Sequence, residues 1–124
     1  MPKLGLPIGM ALALTLASGP AIAAGKPPLH QFSGVAAYYD KNYSGRTAAG
    51  ERYDPQRFTA AHRTLPFGTR LKVTDRKTGR SVEVVVNDRG PFTRGRVLDL
   101  SLAAAKELRM LGRGLAHVTA SVEQ

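Results

Sequence analysis

The sequence predicts a mainly β domain, with about six short strands closed into a compact barrel and one short α-helix packed outside. Three observations lead there. Residues 69–87 carry two runs of alternating apolar and polar side chains joined by a polar, glycine-containing turn, the pattern of a β-hairpin. Residues 101–111 form a capped amphipathic stretch of helical period. The 124 residues include no cysteine, so a single domain must be held by packing, without disulfides or a thiolate metal site.

Taken in order, the chain begins with Lys3, then a charge-free apolar run to Ala17, the helix breakers Ser18-Gly19-Pro20, and the small-x-small pattern Ala21-Ile22-Ala23. This is the layout of a secretory signal, so residues 1–23 are expected to direct export to the periplasm or the exterior. An uncleaved anchor helix is the alternative, disfavoured by Pro7, Gly9 and Gly19-Pro20. No Cys follows the run, so no lipid anchor is expected. Residues 24–33, with Gly25 and Pro27-Pro28, read as a flexible leader, and the folded domain is expected over residues 34–124.

Within that domain, residues 34–39 suit a first strand. Residues 41–50, rich in Asn, Ser, Gly and Thr, read as loop, and Asp54 caps a short turn at Pro55-Gln56-Arg57. Leu71 and Val73, then Val82, Val84 and Val86, form the apolar faces of the hairpin, with residues 75–80 as its turn. Residues 97–100 make a further strand. Ser101 caps a helix reaching Leu111, with Ala104, Leu108 and Leu111 on one face and Gly112 ending it. Residues 115–122 return as the last strand.

The chain carries 18 Lys plus Arg against 9 Asp plus Glu, a formal charge of +9. Removing residues 1–23 takes away Lys3 alone and lowers it from +9 to +8. The cations are scattered along the sequence, with no basic block. An exported basic protein is expected to meet an acidic wall polymer or membrane surface, and not nucleic acid. No run after residue 24 approaches the ~20 apolar residues of a spanning helix.

Few residues can do chemistry. There is no G-x-S-x-G, no phosphate-binding glycine motif, and no metal-ligand spacing among His30, His62 and His117. Neither a metal nor a cofactor is expected. Asp88 is the most suspicious carboxylate: it ends the apolar run 82–86 and precedes Gly90-Pro91. Two roles are open for it. At the mouth of a barrel, partial desolvation would raise its pKa toward general-acid range, with Arg89 opposing. Alternatively, it only bonds the amides of its own turn.

Four stretches occur in order: Thr47-Ala48-Ala49-Gly50-Glu51-Arg52-Tyr53, Thr59-Ala60-Ala61-His62-Arg63-Thr64-Leu65-Pro66-Phe67-Gly68-Thr69, Val86-Asn87-Asp88-Arg89-Gly90-Pro91-Phe92 and Arg96-Val97-Leu98-Asp99-Leu100-Ser101. Together they resemble the motifs of the rare lipoprotein A (RlpA) family, septal-ring lytic transglycosylases. The resemblance runs from about residue 34 to residue 122. It implies a six-stranded double-psi β-barrel. It also implies cleavage of the β-1,4 bond between N-acetylmuramic acid and N-acetylglucosamine in peptidoglycan, leaving a 1,6-anhydro end. The family's catalytic aspartate, histidine and glutamate fall on Asp88, His62 and Glu51.

Such a reaction needs no water, because the sugar's own C6 hydroxyl attacks and is already at high effective concentration. One acid/base, assigned to Asp88, can then replace the two carboxylates of a hydrolase. His62 would orient Asp88 or the substrate or share the proton transfer, or else cap a turn. Glu51 would bind sugar or tune His62, or remain a solvated loop acid. Tyr39, Asn87, Arg89 and Phe92 are the expected substrate-binding residues; the two aromatics could instead pack in the core. Asp99 reads as mainly structural. Peptidoglycan glycan strands are the expected partner, no stable membrane anchor is expected, and the protein is expected to be a monomer. The chain lacks the lipobox cysteine and the C-terminal peptidoglycan-binding repeat of many relatives, so septal targeting is not implied. The same barrel serves expansins and barwin-like proteins, so a non-catalytic wall-polysaccharide-binding module is the alternative function.

Overall fold

The alternation of residues 69–87 becomes the hairpin of β3 (Arg70–Asp75) and β4 (Ser81–Asp88). Leu71 lies opposite Val84 and Val73 opposite Val82, and these four side chains face the core while Arg70, Lys72, Ser81 and Glu83 face out. The computed structural model describes residues 30–123. The export signal and most of the leader therefore lie outside the described residues.

Five further elements complete the domain: β1 (Gln31–Tyr38), β2 (Thr59–Ala61), β5 (Arg96–Leu100), the helix α1 (Leu102–Glu107) and β6 (Ala116–Val122). The strands close into a barrel in the order β1-β5-β2-β4-β3-β6. Two pairings are parallel, β1 with β5 and β2 with β4; the others are antiparallel. Leu71, Val73, Val84, Val86, Leu98, Leu100 and Val118 fill the interior and are almost wholly buried. Ala36, Ala60, Ala116 and Ala120 line the same core, where a small barrel has no room for larger side chains. Close approach is sharpest at Gly34, where a Cβ would sit 2.4 Å from Val97 Cγ1.

Three elements differ from the sequence reading. β1 begins at Gln31, so the last leader residues pair with β6, from Gln31 opposite Ser121 to Ser33 opposite Thr119. The sequence pattern does not mark β2 as a strand. It has three residues, all buried, between β4 and β5, so it shows no alternation for a sequence to reveal. The helix stops at the C-cap Leu108 and does not run on to Leu111. Arg109 follows with φ 55°, a left-handed conformation that breaks the helical period. Met110 therefore turns into the core, fully buried, and Leu111 is 36% exposed. At the other end Ser101 caps as expected: its hydroxyl accepts from the Ala104 amide at 3.3 Å and from the Thr59 amide at 3.2 Å.

The hairpin turn holds a buried charge. Asp75 has no exposed surface; its carboxylate accepts from the Lys77 amide at 2.8 Å and pairs with the Arg113 guanidinium. Burial alone would raise its pKa, but the bonds from Arg113 and the Lys77 amide outweigh this and hold it below the ordinary carboxylate value. In the unfolded chain the group returns to ~3.9. With the folded pKa depressed, the stabilisation is complete above that value and is lost as pH falls through the folded pKa. Arg113→Ala should cost about 2–3 kcal/mol at pH 7, less than a fully enclosed pair because the arginine is partly exposed. Thermal melts should register this as a Tm lower by about 10 °C or more. The two proteins should converge in Tm at pH values well below 4, and a gap that stays constant into strong acid would contradict the assignment.

Candidate active site

Strict alternation along β4 would carry Asp88 into the core behind Val82, Val84 and Val86. A register shift prevents this. Ala60 pairs with Val86 but Ala61 pairs with Asp88, so Asn87 is the extra residue on β4. Such a bulge re-aims the side chain that follows it. Asn87 is buried, and Asp88 is left half-buried at the rim of the barrel.

Three donors hold the Asp88 carboxylate. Oδ1 accepts from the Ala48 amide at 2.8 Å and from the Arg89 amide at 2.9 Å. Oδ2 accepts from the Tyr39 hydroxyl at 2.5 Å. Burial, the bond to Asp88 and the charge of Asp88 together push the Tyr39 hydroxyl far above its ordinary pKa, so it stays a proton donor. Its ring stacks on Tyr53 with centroids 4.4 Å apart, and Tyr43 lies against both rings.

Residues 47–51 fold over the end of β4. The Thr47 amide donates to the Glu51 carbonyl at 2.7 Å and the Gly50 amide to the Thr47 carbonyl at 2.9 Å, with Gly50 at φ 98°. The Ala49 amide donates to the Asn87 carbonyl, and Asn87 Nδ2 donates to Glu51 Oε1 at 2.8 Å. Glu51 is thus brought beside the Asp88 loop, with Arg57 3.5 Å from its other oxygen. Asn87, expected to bind substrate, is instead buried and used to hold Glu51.

His62 follows β2, and its amide donates to the Asp88 carbonyl at 3.1 Å. Its ring turns elsewhere. Nδ1 accepts from the Thr64 and Leu65 amides, both at 3.1 Å. This places the proton of the neutral ring on Nε2. The ring packs 5.0 Å from Phe32 and lines a pocket of about 310 Å³ with His30, Arg63, Thr64 and Val97. Burial lowers its pKa, and His30, Arg89 and Arg63 lower it further. Among the described residues, no side chain of Asp88, His62 and Glu51 bonds directly to another of the three.

Arg89 binds inward: its guanidinium donates to the carbonyls of His62 and Leu65 at 3.1 and 2.8 Å and lies 4.0 Å above the Phe67 ring. It fastens the His62 turn to the Asp88 turn. Phe92 is 79% exposed and has a free face for stacking. Asp99 pairs with Arg96 on the outer side of β5. Sequence reasoning missed the Ala48 amide and treated Tyr39 as a stacking ring, overlooking its hydroxyl; the partners are 40 and 49 residues from Asp88, with no local signal to join them. Among the described residues, no three His, Asp or Glu side chains are placed to share a metal ion.

A six-stranded closed barrel with two parallel pairings and a carboxylate held at its rim defines a small double-psi β-barrel protein. Solved structures carry the same fold. The Streptomyces papain inhibitor superposes with a TM-score of 0.63 at 26% identity, over 79% of this chain and 98% of its own. An expansin of Clavibacter michiganensis in complex with cellohexaose gives 0.61 at 22% identity, over 77% of this chain and 51% of its own. Residues 31–120 match the family model described as lytic transglycolase, and the chain belongs to that family. It is 56% identical over 94 residues to a protein of Nostoc sp. named "probable endolytic peptidoglycan transglycosylase RlpA", covering 73% of this chain. The chain spans 25% of that relative's length.

Two measurements check the site's geometry. In 15N NMR, His62 should appear as the Nε2–H tautomer and titrate below the ~6.5 of an ordinary histidine. Because its folded pKa is depressed, the neutral ring contributes stability that is complete above ~6.5 and declines as pH falls below it. His62→Asn, whose amide oxygen can still accept the turn amides, should flatten that decline. Tyr39→Phe keeps the stack on Tyr53 and removes only the hydroxyl, so it should cost about 1–2 kcal/mol of stability in denaturant melts. An unchanged midpoint would mean that the Tyr39–Asp88 bond carries no weight.

Proposed function

We propose that the protein is an exported lytic transglycosylase. It would cleave the β-1,4 bond between N-acetylmuramic acid and N-acetylglucosamine in peptidoglycan and leave a 1,6-anhydromuramyl end. The observation that carries this reading is the Asp88 carboxylate. Oδ1 is occupied by two amides, whereas Oδ2 has one protein donor, Tyr39, and a half-buried position at the rim. Family membership and likeness to relatives named endolytic peptidoglycan transglycosylase support it.

On this reading, protonated Asp88 gives its proton from Oδ2 to the glycosidic oxygen as the C1–O bond breaks, releasing the N-acetylglucosamine O4 as a hydroxyl. The muramyl C6 oxygen then bonds to C1, and its proton returns to Oδ2. Atoms and charge balance with no water consumed. Tyr39 holds Oδ2 toward the substrate and, staying protonated, does not compete for the proton. The Ala48 and Arg89 amides fix the other oxygen. Glu51, steadied by Asn87, and the exposed Phe92 would contact sugar. His62 Nε2–H is a donor to substrate in the adjacent pocket, since Nδ1 is committed to its own turn. The apolar run at the start of the chain would direct residues 24–124 out of the cytoplasm.

A second reading, a wall-polysaccharide-binding module without catalysis, is favoured by the His62 ring being bonded to its own turn and not to Asp88. One variant separates the two. Asp88→Asn can keep both amide bonds through its oxygen, and its NH2 can donate to the Tyr39 hydroxyl, so the fold should persist. Turnover of purified sacculi to anhydromuramyl products, read by mass spectrometry, should fall by about 10²–10⁴-fold with binding retained. Parent and variant both binding sacculi with no anhydro product would establish the second reading. A stable variant turning over at the parent rate would remove Asp88 from the chemistry.

A further inference from the structure

The hairpin turn 75–80 and the segment after α1 are distant in sequence but joined in the fold. Arg80 Nε donates to the Glu107 carbonyl at 3.3 Å, and the Arg113 guanidinium pairs with Asp75. The surface they make carries Arg76, Lys77, Arg80, Lys106, Arg109 and Arg113, all exposed except the partly buried Arg80. The acids beside it are Asp75, which is buried and paired with Arg113, Glu107, and Glu83, which lines a pocket with Glu107 and is paired with Arg70. Leu111, 36% exposed, and Leu115, 52% exposed, lie on either side of Arg113 in the chain. Arg109 holds φ 55°, a left-handed position after a helix where glycine or asparagine is preferred. A cation stands there where the backbone favours glycine. Favourable charge at the end of a short helix can account for Lys106, but not for Arg76 and Lys77 on the hairpin.

We propose that this end of the barrel is a docking surface for an anionic lipid bilayer. The cations would lie against anionic headgroups, and Leu111 and Leu115 would enter the boundary with the acyl chains. Cations alone fit any polyanion; the two exposed leucines among them favour a surface with an apolar layer beneath its charge. The contact would be made by side chains at the end of the barrel; among the described residues no helix is long and apolar enough to span a membrane. β4 starts at this turn and ends at Asp88 after a strand of eight residues, so docking leaves the Asp88 rim roughly 20 Å away along the strand. The inference does not depend on what reaction that rim performs.

The chain contains no tryptophan, so Leu115→Trp in the full chain is a single reporter. Vesicles containing phosphatidylglycerol should shift its emission to the blue and expose it to quenching by brominated lipid. Phosphatidylcholine vesicles should not, and added salt should weaken the effect. The reporter Phe92→Trp, beyond Asp88, should be unmoved, which separates docking through this surface from binding through the N-terminal segment. Adding Arg109→Gly should weaken vesicle binding by about fivefold, the worth of one cation at an anionic surface. The same change should leave the Tm equal or higher, because glycine relieves the left-handed backbone. Hydrogen exchange on the unsubstituted chain should slow in residues 107–115 when vesicles are added. An unshifted reporter at 115, an equal shift with neutral vesicles, or equal shifts at 92 and 115 would overturn the proposal. Binding to inorganic polyphosphate without a vesicle response would identify a soluble polyanion as the partner and overturn it as well.

Discussion

The Asp88 carboxylate is the knot on which the rim of this barrel depends. It receives the Ala48 amide, the Tyr39 hydroxyl and the Arg89 amide, while its carbonyl receives the His62 amide. Three parts of the chain distant from it in sequence, at residues 39, 48 and 62, are thereby fixed to one residue. Charge-assisted bonds of this kind are shorter and stronger than neutral ones. The loop over residues 47–51, the tyrosine trio and the His62 turn all lie outside the strands, and Asp88 is the residue they share.

That knot exists because β4 slips by one residue at Asn87. The slip costs a ladder position but takes a carboxylate out of a core made of Val, Leu and Ala, where an unpaired charge would be intolerable. The buried carboxylate of Asp75 meets the same problem at the opposite end of the hairpin by pairing with Arg113. The two aspartates of one hairpin thus have different fates. One is neutralised and enclosed as a brace; the other is left with an oxygen able to meet a ligand.

The distribution of charge follows the same division. Around Asp88 two arginines are used as fasteners: Arg89 onto the carbonyls of His62 and Leu65, Arg63 onto those of Pro91, Thr93 and Arg96. At the hairpin turn Arg113 braces Asp75 and Arg80 bonds the Glu107 carbonyl, while Arg76, Lys77, Lys106 and Arg109 face outward. Arginine's planar fork suits the first use, because several carbonyls can be held by one side chain. A positive surface turned to solvent is the second.

By itself the sequence determined the hairpin, its inward face, the cap at Ser101, the last strand and the candidacy of Asp88, His62 and Glu51. These rest on local period, capping chemistry and ordered motifs, which residues in a row can express. It could not reveal β2, because three wholly buried residues have no alternation, nor the end of α1, because Arg109 stands where a glycine would have marked it. Only the tertiary structure decided that Asn87 is a bulge and holds Glu51, that Tyr39 is the donor to Asp88, and that the His62 ring serves its own turn. It also gathered into one surface cations that are scattered along the chain. Each of these depends on pairing register or on contacts tens of residues apart, and register is set by closing all six strands at once.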